Sequence, residues 1–165
     1  MPVLQAASPP RSRDLAALAL SLAVVAVVAV VGGLVTAGAV DGWYRTLEKP
    51  VFNPPDWLFG PVWTALYVMM AVAAWLVWRR GRAVARPALL LYAGQLALNL
   101  AWTLLFFGAH AIAVAFIEIL VLLAMIVLTA RAFFRVDVRA GWLMVPYALW
   151  VAFAAVLTGS VMALN

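Results

Sequence analysis

Five long apolar runs, separated by short polar or proline-containing segments, dominate the pattern along the chain. They cover about residues 14–40, 57–79, 86–107, 110–133 and 139–164. Each run reaches the roughly 20 residues that a helix needs to cross a bilayer. The pattern therefore predicts an all-α integral membrane protein, folded as a bundle of five transmembrane helices.

Composition supports this prediction. Of the 165 residues, 68% are hydrophobic and 10% are charged, and the mean hydropathy is +1.10. A soluble domain of this length could not bury so much apolar surface. The absence of cysteine excludes a disulfide framework and a cysteine-ligated metal.

The beginning of the chain differs from the rest. Residues 1–13 are polar and contain prolines, so we expect a short disordered tail followed by one transmembrane domain over 14–165. The run over 15–35 is longer than the hydrophobic region of a signal peptide, which has about 7–15 residues. It is therefore expected to be a retained first span.

The basic residues predict the orientation. Nine arginines would lie on the side of the N-terminus, against two basic residues on the other side: Arg11, Arg13, Arg79, Arg80, Arg82, Arg86, Arg131, Arg135 and Arg139 against Arg45 and Lys49. By the positive-inside rule, the N-terminus is expected in the cytoplasm and the loop over 41–56 outside it. This distribution is not that of a nucleic-acid-binding surface, so no nucleic-acid partner is expected.

The segment over 43–67, WYRTLEKPVFNPPDWLFGPVWTALY, is the most informative one. Four prolines, which lack an amide donor, keep most of it out of a continuous helix. A generic linker would be polar, whereas this one carries six aromatic residues before Tyr67. We interpret it as a shaped aromatic lid or an entrance that faces a ligand.

Polar residues within the spans indicate an interior. Gln95, Asn99 and Trp102 share one stripe of the third span, and Trp150 lies on a similar stripe of the fifth. Buried amides need partners, so Gln95 and Asn99 are expected to face the bundle interior or a cavity. They could contact a ligand, or they could simply link neighbouring helices by hydrogen bonds.

Two single titratable residues leave alternatives open. Glu118 lies midway along the fourth span, where a carboxylate costs about 2.5–3.5 kcal/mol. It could accept a proton or contact a ligand, and the structural alternative is a neutral acid bonded to another helix. His110, at a predicted turn, is interpreted as solvated or capping rather than catalytic.

The eight tryptophans divide into two groups. Trp75, Trp78 and Trp142 lie near span ends on the basic side and are interpreted as anchors at the membrane interface. The others belong to the lid segment or to the polar stripes, which suggests an aromatic pocket for a flat, largely apolar ligand. No nucleophile elbow, phosphate-binding loop, paired carboxylates or metal-ligating set is present. The residues alone therefore indicate a receptor more than an enzyme.

Three segments resemble the TspO/MBR family of tryptophan-rich sensory proteins, translocator proteins and peripheral-type benzodiazepine receptors. They are the segment over 43–67, QLALNLAWTLLFFG over 95–108, and VPYALWVAFAAVLTGSVMALN over 145–165. The resemblance implies a five-helix bundle in a bacterial cell membrane that forms a homodimer. It also implies protoporphyrin IX or haem as a ligand, with no obligatory cofactor. Separately from the resemblance, Ala97 and Ala101 are small residues four apart and are candidate contact residues of a dimer.

The family's pocket positions carry over to nine residues: Trp43, Tyr44, Asn53, Pro54, Trp63, Asn99, Trp102, Trp150 and Ala154. Thr158 stands where the family commonly has asparagine, so a polar contact there is expected to differ. No basic segment follows Asn165, so sterol binding is not expected.

The function expected from this resemblance is that of a membrane receptor or regulator that binds tetrapyrroles under the loop between the first two spans. Two alternatives remain open. One is light- and oxygen-dependent porphyrin degradation, with Trp63 and Trp150 as candidate participants. The other is transport of porphyrins or small lipophiles.

Overall fold

The computed structural model describes residues 10–40 and 42–165. Its described part is helical almost throughout and contains no strand. Over these residues six α-helices follow one another, and a π-helical turn over Leu104–Gly108 extends the fourth: α1 Arg11–Val40, α2 Trp43–Thr46, α3 Asp56–Trp78, α4 Arg82–Thr103, α5 Ile112–Val136 and α6 Val138–Leu164.

In the described part of the chain, five helical segments are long and apolar enough to cross a membrane. These are α1, α3, α5, α6 and the combined segment Arg82–Gly108, which joins α4 to its π-helical turn. The expected all-α bundle of five transmembrane helices is confirmed. The short helix α2 was not predicted from the sequence, and it belongs to the loop between the first two spans.

The helix boundaries differ from the expected ones by a few residues, for local reasons. α4 begins at Arg82 instead of 86, because the chain breaks at Gly81 with a left-handed φ of 95°. α5 begins at Ile112 instead of 110, because His110 has a φ of 54°. Of the expected tail over 1–13, residues 1–9 lie outside the described residues, and 11–13 form the first turn of α1.

The core is built where α3, α4, α5 and α6 meet. Its largest fully buried side chains include Tyr147, Phe133, Met70, Ile119 and Leu122. Small residues on α3, such as Ala71 and Ala73, are completely buried and allow close helix packing in a membrane. α1 is peripheral, with Val25, Gly32 and Ala39 as its buried residues, and it packs mainly on α3.

Ion pairs hold together the end of the bundle where the nine arginines gather, called here the arginine-rich end. Arg79 pairs with Asp14 at 3.2 Å, which joins the end of α3 to the start of α1. Arg80 pairs with Asp137, the single residue between α5 and α6. Trp75 lies half-buried there and donates to the Asp14 carboxylate at 3.0 Å. It therefore links two helices, and its expected role as an anchor at the membrane interface stays a prediction.

Candidate ligand-binding cavity

A cavity of about 440 Å³ lies in the half of the bundle opposite the arginine-rich end. The carboxyl-terminal halves of α1 and α6, the amino-terminal half of α3, and the end of α4 with its π-helical turn enclose it, and α2 lies over it. The lining residues are Ala29, Gly32, Gly33, Thr36, Ala37, Val40, Tyr44, Asp56, Phe59, Gly60, Trp63, Thr64, Tyr67, Trp102, Thr103, Phe106, Phe107, Trp150, Ala154, Leu157, Thr158 and Val161.

Aromatic rings form one side of this cavity. Trp102 stacks on Phe106, with ring centroids 5.2 Å apart and planes 15° apart. Phe107 meets Phe106 edge to face at 4.9 Å, and Phe59 meets Trp150 at 6.0 Å. Such mutual contacts fix the orientation of the rings, so their faces form a pre-shaped wall.

The π-helical turn lets neighbouring rings face the same space. The amide of Ala109 donates to the carbonyl of Leu104 at 2.8 Å, a bond that spans five residues instead of four. The wider turn reduces the angle between consecutive side chains, and Phe106 and Phe107 both line the cavity. π-Turns of this kind recur at functional sites.

Small residues of α1 form another part of the wall, beside the end of α4. Ala29, Gly32, Gly33 and Ala37 all line the cavity. A Cβ on Gly32 would lie 3.6 Å from the side chain of Thr103, so the two helices are already in contact there. The open volume thus depends on α1 carrying no large side chain on this face.

A hydrogen-bonded network lies behind the aromatic wall. The hydroxyl of Tyr67, a lining residue, donates to Asn99 Oδ1 at 2.7 Å, and Asn99 Nδ2 donates to the hydroxyl of Tyr147 at 3.2 Å. Gln95 and Asn99 are 0% and 2% exposed, as their expected interior position requires. Asn99 links three helices and positions Tyr67. The indole nitrogen of Trp102 is buried without a partner among the described residues.

The loop between the first two spans forms a lid over this space. Tyr44 on α2 is buried, and its hydroxyl donates to Asn53 Oδ1 at 3.1 Å. Burial and the charge of Asp56 outweigh the hydrogen bond with Asn53 and raise the pKa of Tyr44 to about 12. Lys49 lies 4.5 Å above the Tyr44 ring. Tyr44 is therefore a neutral, fixed part of the lid at physiological pH.

Two contacts attach the lid to the bundle. Trp43 stacks on His110 in the turn between α4 and α5, with centroids 4.1 Å and planes 13° apart. At the other side, the Asn165 amide pairs with the backbone of Glu48, accepting from its N–H at 3.0 Å and donating to its carbonyl at 3.1 Å. His110 is exposed and holds the lid by this stacking contact.

The nine residues that the resemblance predicts as pocket positions lie in three layers of the structure. Tyr44, Trp63, Trp102, Trp150 and Ala154 line the cavity. Trp43, Asn53 and Pro54 belong to the lid, where Asn53 also donates to the Pro54 carbonyl at 3.0 Å. Asn99 lies behind the wall. Trp63 and Trp150, the candidates for photochemistry, both face the cavity.

One part of the site was not singled out from the sequence, and two residues that were singled out lie outside the nine positions. The α1 wall is the largest omission, and its signal was the Gly32–Gly33 pair inside a run of larger apolar residues. Thr158 also lines the cavity, and its hydroxyl donates to the Ala154 carbonyl of its own helix at 2.8 Å. Glu118 is not in the wall, and within the described part neither of its buried carboxyl oxygens has a hydrogen-bond partner.

Comparison with known proteins gives consistent results. The model of the TspO/MBR family matches residues 20–164. The chain is 39% identical to the tryptophan-rich protein TspO of Chlorobaculum tepidum over 93% of this chain and 99% of that protein. It is 41% identical to the tryptophan-rich sensory protein of Cereibacter sphaeroides, over 81% of this chain and 85% of that protein. With the translocator protein of Ovis aries it shares 42% identity over 70% of each chain.

Proposed function

This chain belongs to the TspO/MBR family, and we propose that it is a membrane receptor or regulator that binds tetrapyrroles such as protoporphyrin IX or haem. The observation that carries the proposal is the cavity of about 440 Å³, which is bordered by Trp63, Trp102 and Trp150 and covered by the Tyr44 lid.

The shape and chemistry of this cavity suit a flat aromatic ligand. Its volume lies within the range of about 300–1,000 Å³ that small-molecule sites occupy. A macrocycle would gain stacking energy against the indole faces. The unpartnered Trp102 N–H is a donor available to a polar group of the ligand. Small residues of α1 leave room for the second face of the ring system.

Orientation and assembly complete the proposal. The arginine-rich end would face the cytoplasm of a bacterial cell, and the lid would face outward. Two copies would associate along α4, where Ala97 is exposed and Ala101 partly so, since small residues favour helix contacts in membranes. Crosslinking of the protein in membranes, with and without a bulky residue at Ala97, tests this dimer.

Titration with protoporphyrin IX tests the binding proposal. Stacked aromatic contacts are worth about 0.5–1.5 kcal/mol, so Trp63→Phe and Trp150→Phe should each weaken binding by about two- to tenfold. Trp57→Phe is the matched control, because Trp57 is 73% exposed and does not line the cavity. Quenching of tryptophan fluorescence reports affinity. Unchanged affinity in both cavity variants would refute the assignment.

A light arm of the same titration tests the second candidate, porphyrin degradation driven by light and dioxygen. The positions of Trp63 and Trp150 in the cavity wall favour it, since an excited porphyrin held there could take an electron from an indole. A new absorption spectrum that needs light, air and both tryptophans would support an enzyme. Identical absorption spectra in the light and in the dark would exclude photodegradation and favour the receptor.

A further inference from the structure

The arginine-rich end has far more cations than anions. Nine arginines gather there, and the sequence supplies two acids to the same end, Asp14 and Asp137. Both carboxylates are already paired, with Arg79 and Arg80. Within the described residues, the other seven arginines therefore have no paired carboxylate at this end of the bundle.

The junction between α5 and α6 shows this imbalance most clearly. Asp137 Oδ2 accepts from Arg80, and Oδ1 accepts from the backbone amides of Arg139 and Ala140 at 2.9 and 3.4 Å. Its carboxylate is thus fully used by these donors. The side chains of Arg135 and Arg139, which flank Asp137 in the chain, are exposed.

An aromatic pair, the half-buried Phe134 and the exposed Trp142, lies near these cations in the chain. Phe134 on α5 meets Trp142 on α6 edge to face, with centroids 5.5 Å apart. Trp142 is 63% exposed. Arg131 precedes Phe134 by three residues and Arg139 precedes Trp142 by three, so each arginine is a one-turn neighbour of one ring. The helical spacing therefore places the two arginines on the same side of their helices as the two rings.

Apolar stripes continue from these arginines along the outside of the bundle. On α5, Ile117, Val121 and Leu128 are 65%, 51% and 49% exposed and are spaced by four and seven residues. Arg131 and Arg135 extend the same stripe. On α6, Leu149 and Val156 follow Trp142 at intervals of seven and are also more than half exposed. Each stripe is an apolar track that ends in a cation.

We propose that the lipid-facing surface formed by α5 and α6 binds one anionic phospholipid, such as phosphatidylglycerol. Arg131, Arg135 and Arg139 hold the phosphate and the charged headgroup. The Phe134–Trp142 pair contacts the glycerol region, at the depth where indoles favour the membrane interface, and the acyl chains follow the two apolar stripes. This site lies apart from the cavity and does not depend on the tetrapyrrole.

Native mass spectrometry of the detergent-solubilised protein, with added phosphatidylglycerol or phosphatidylcholine, tests this site. The decisive variant is R131Q/R139Q. A basic residue near an anionic surface contributes about 1 kcal/mol, or about fivefold in affinity. The double variant should therefore retain phosphatidylglycerol at least fivefold less well, with phosphatidylcholine unaffected.

The matched control is R82Q/R86Q at the start of α4, which removes the same charge from the same end of the bundle. It should leave phosphatidylglycerol retention within about twofold of the wild type. R131K/R139K, which keeps the charge, should retain most of the binding and shows that the site survives substitution. Equal losses in both glutamine pairs, or a loss in neither, would overturn the proposal.

Discussion

Asp137→Ala removes the side chain of the single residue between α5 and α6. That side chain also connects this junction to Arg80, just after the end of α3. The wild-type carboxylate accepts from the amides of Arg139 and Ala140, which caps α6. It also accepts from the side chain of Arg80, which lies in the turn between α3 and α4. Three helices therefore depend on one side chain that is 6% exposed.

The magnitude follows from these two roles. Loss of an N-cap costs about 1 kcal/mol. The Arg80 pair is partly screened, because the Arg80 side chain is 56% exposed, so its loss adds about 1 kcal/mol, at the upper end for exposed ion pairs. A total of about 2 kcal/mol corresponds to a melting temperature lower by roughly 4–8 °C at this chain length.

Asp137→Asn separates the two roles. Its amide oxygen can still cap α6, whereas the charge that pairs with Arg80 is gone. The free energy of unfolding should therefore fall by about 1 kcal/mol, half the loss in Asp137→Ala. Asp137→Asn combined with Arg80→Gln should cost little more than Asp137→Asn alone, since both changes remove the same interaction.

The effect of pH has a definite sign. Burial raises the pKa of Asp137, but hydrogen bonds from Arg80 and the two backbone amides, with the Arg80 charge, lower it overall. A folded-state pKa below the unfolded value of about 3.9 gives stabilisation that is complete above that value and is lost as pH falls through the folded pKa. The free energies of unfolding of the wild type and D137N should therefore differ by a constant amount from pH 5 to 8, and this difference should disappear in acid.

Circular dichroism melting in detergent, repeated at several pH values, measures these differences. The reasoning fails if Asp137→Ala is as stable as the wild type, or if Asp137→Asn is as destabilising as Asp137→Ala. It also fails if the difference between wild type and D137N persists unchanged below pH 3.

Two further predictions concern packing and the lid. Gly141→Ala should lower the melting temperature, because a Cβ there would collide with the Phe134 ring. The cost of such overpacking is about 1–3 kcal/mol. Gly94→Ala is the control: a Cβ there would have nothing within 4 Å, so this variant should be neutral or stabilising in the same thermal assay. Asn165→Ala removes both hydrogen bonds to the Glu48 backbone. Amide hydrogen exchange, measured by mass spectrometry, should therefore become faster in the lid and not in the core. An equal increase of the exchange rate across the whole chain would contradict this.

The apolar runs were sufficient to predict the spans, because a bilayer-length hydrophobic segment has few other stable conformations. Gln95 and Asn99 were correctly placed in the interior for the same reason, since lipid cannot satisfy an amide. The interhelical pairs were not predictable. Asp137 and Arg80 are 57 residues apart, and nothing in either neighbourhood indicates that the two meet.

The α1 wall of the cavity shows why part of the site escapes sequence reasoning. α1 is apolar all round, so no polar stripe distinguishes the face that meets α3. Near the arginine-rich end the two helices are joined closely, since Ser21 donates to the Ala71 carbonyl at 2.8 Å and Val25 is 3% exposed.

The opposite half of the same contact has a different composition. There, glycine, alanine and threonine of α1 line the cavity together with Gly60 and Thr64 of α3. A Cβ added at Gly33 or Gly60 would have nothing within 4 Å. Small residues leave open space only where the facing helix is held at a distance by other contacts. This side of the cavity therefore depends on both helices. α1 and α3 are in close contact at the arginine-rich end and are separated by open space at the other end, so the sequence of one helix alone does not predict the cavity.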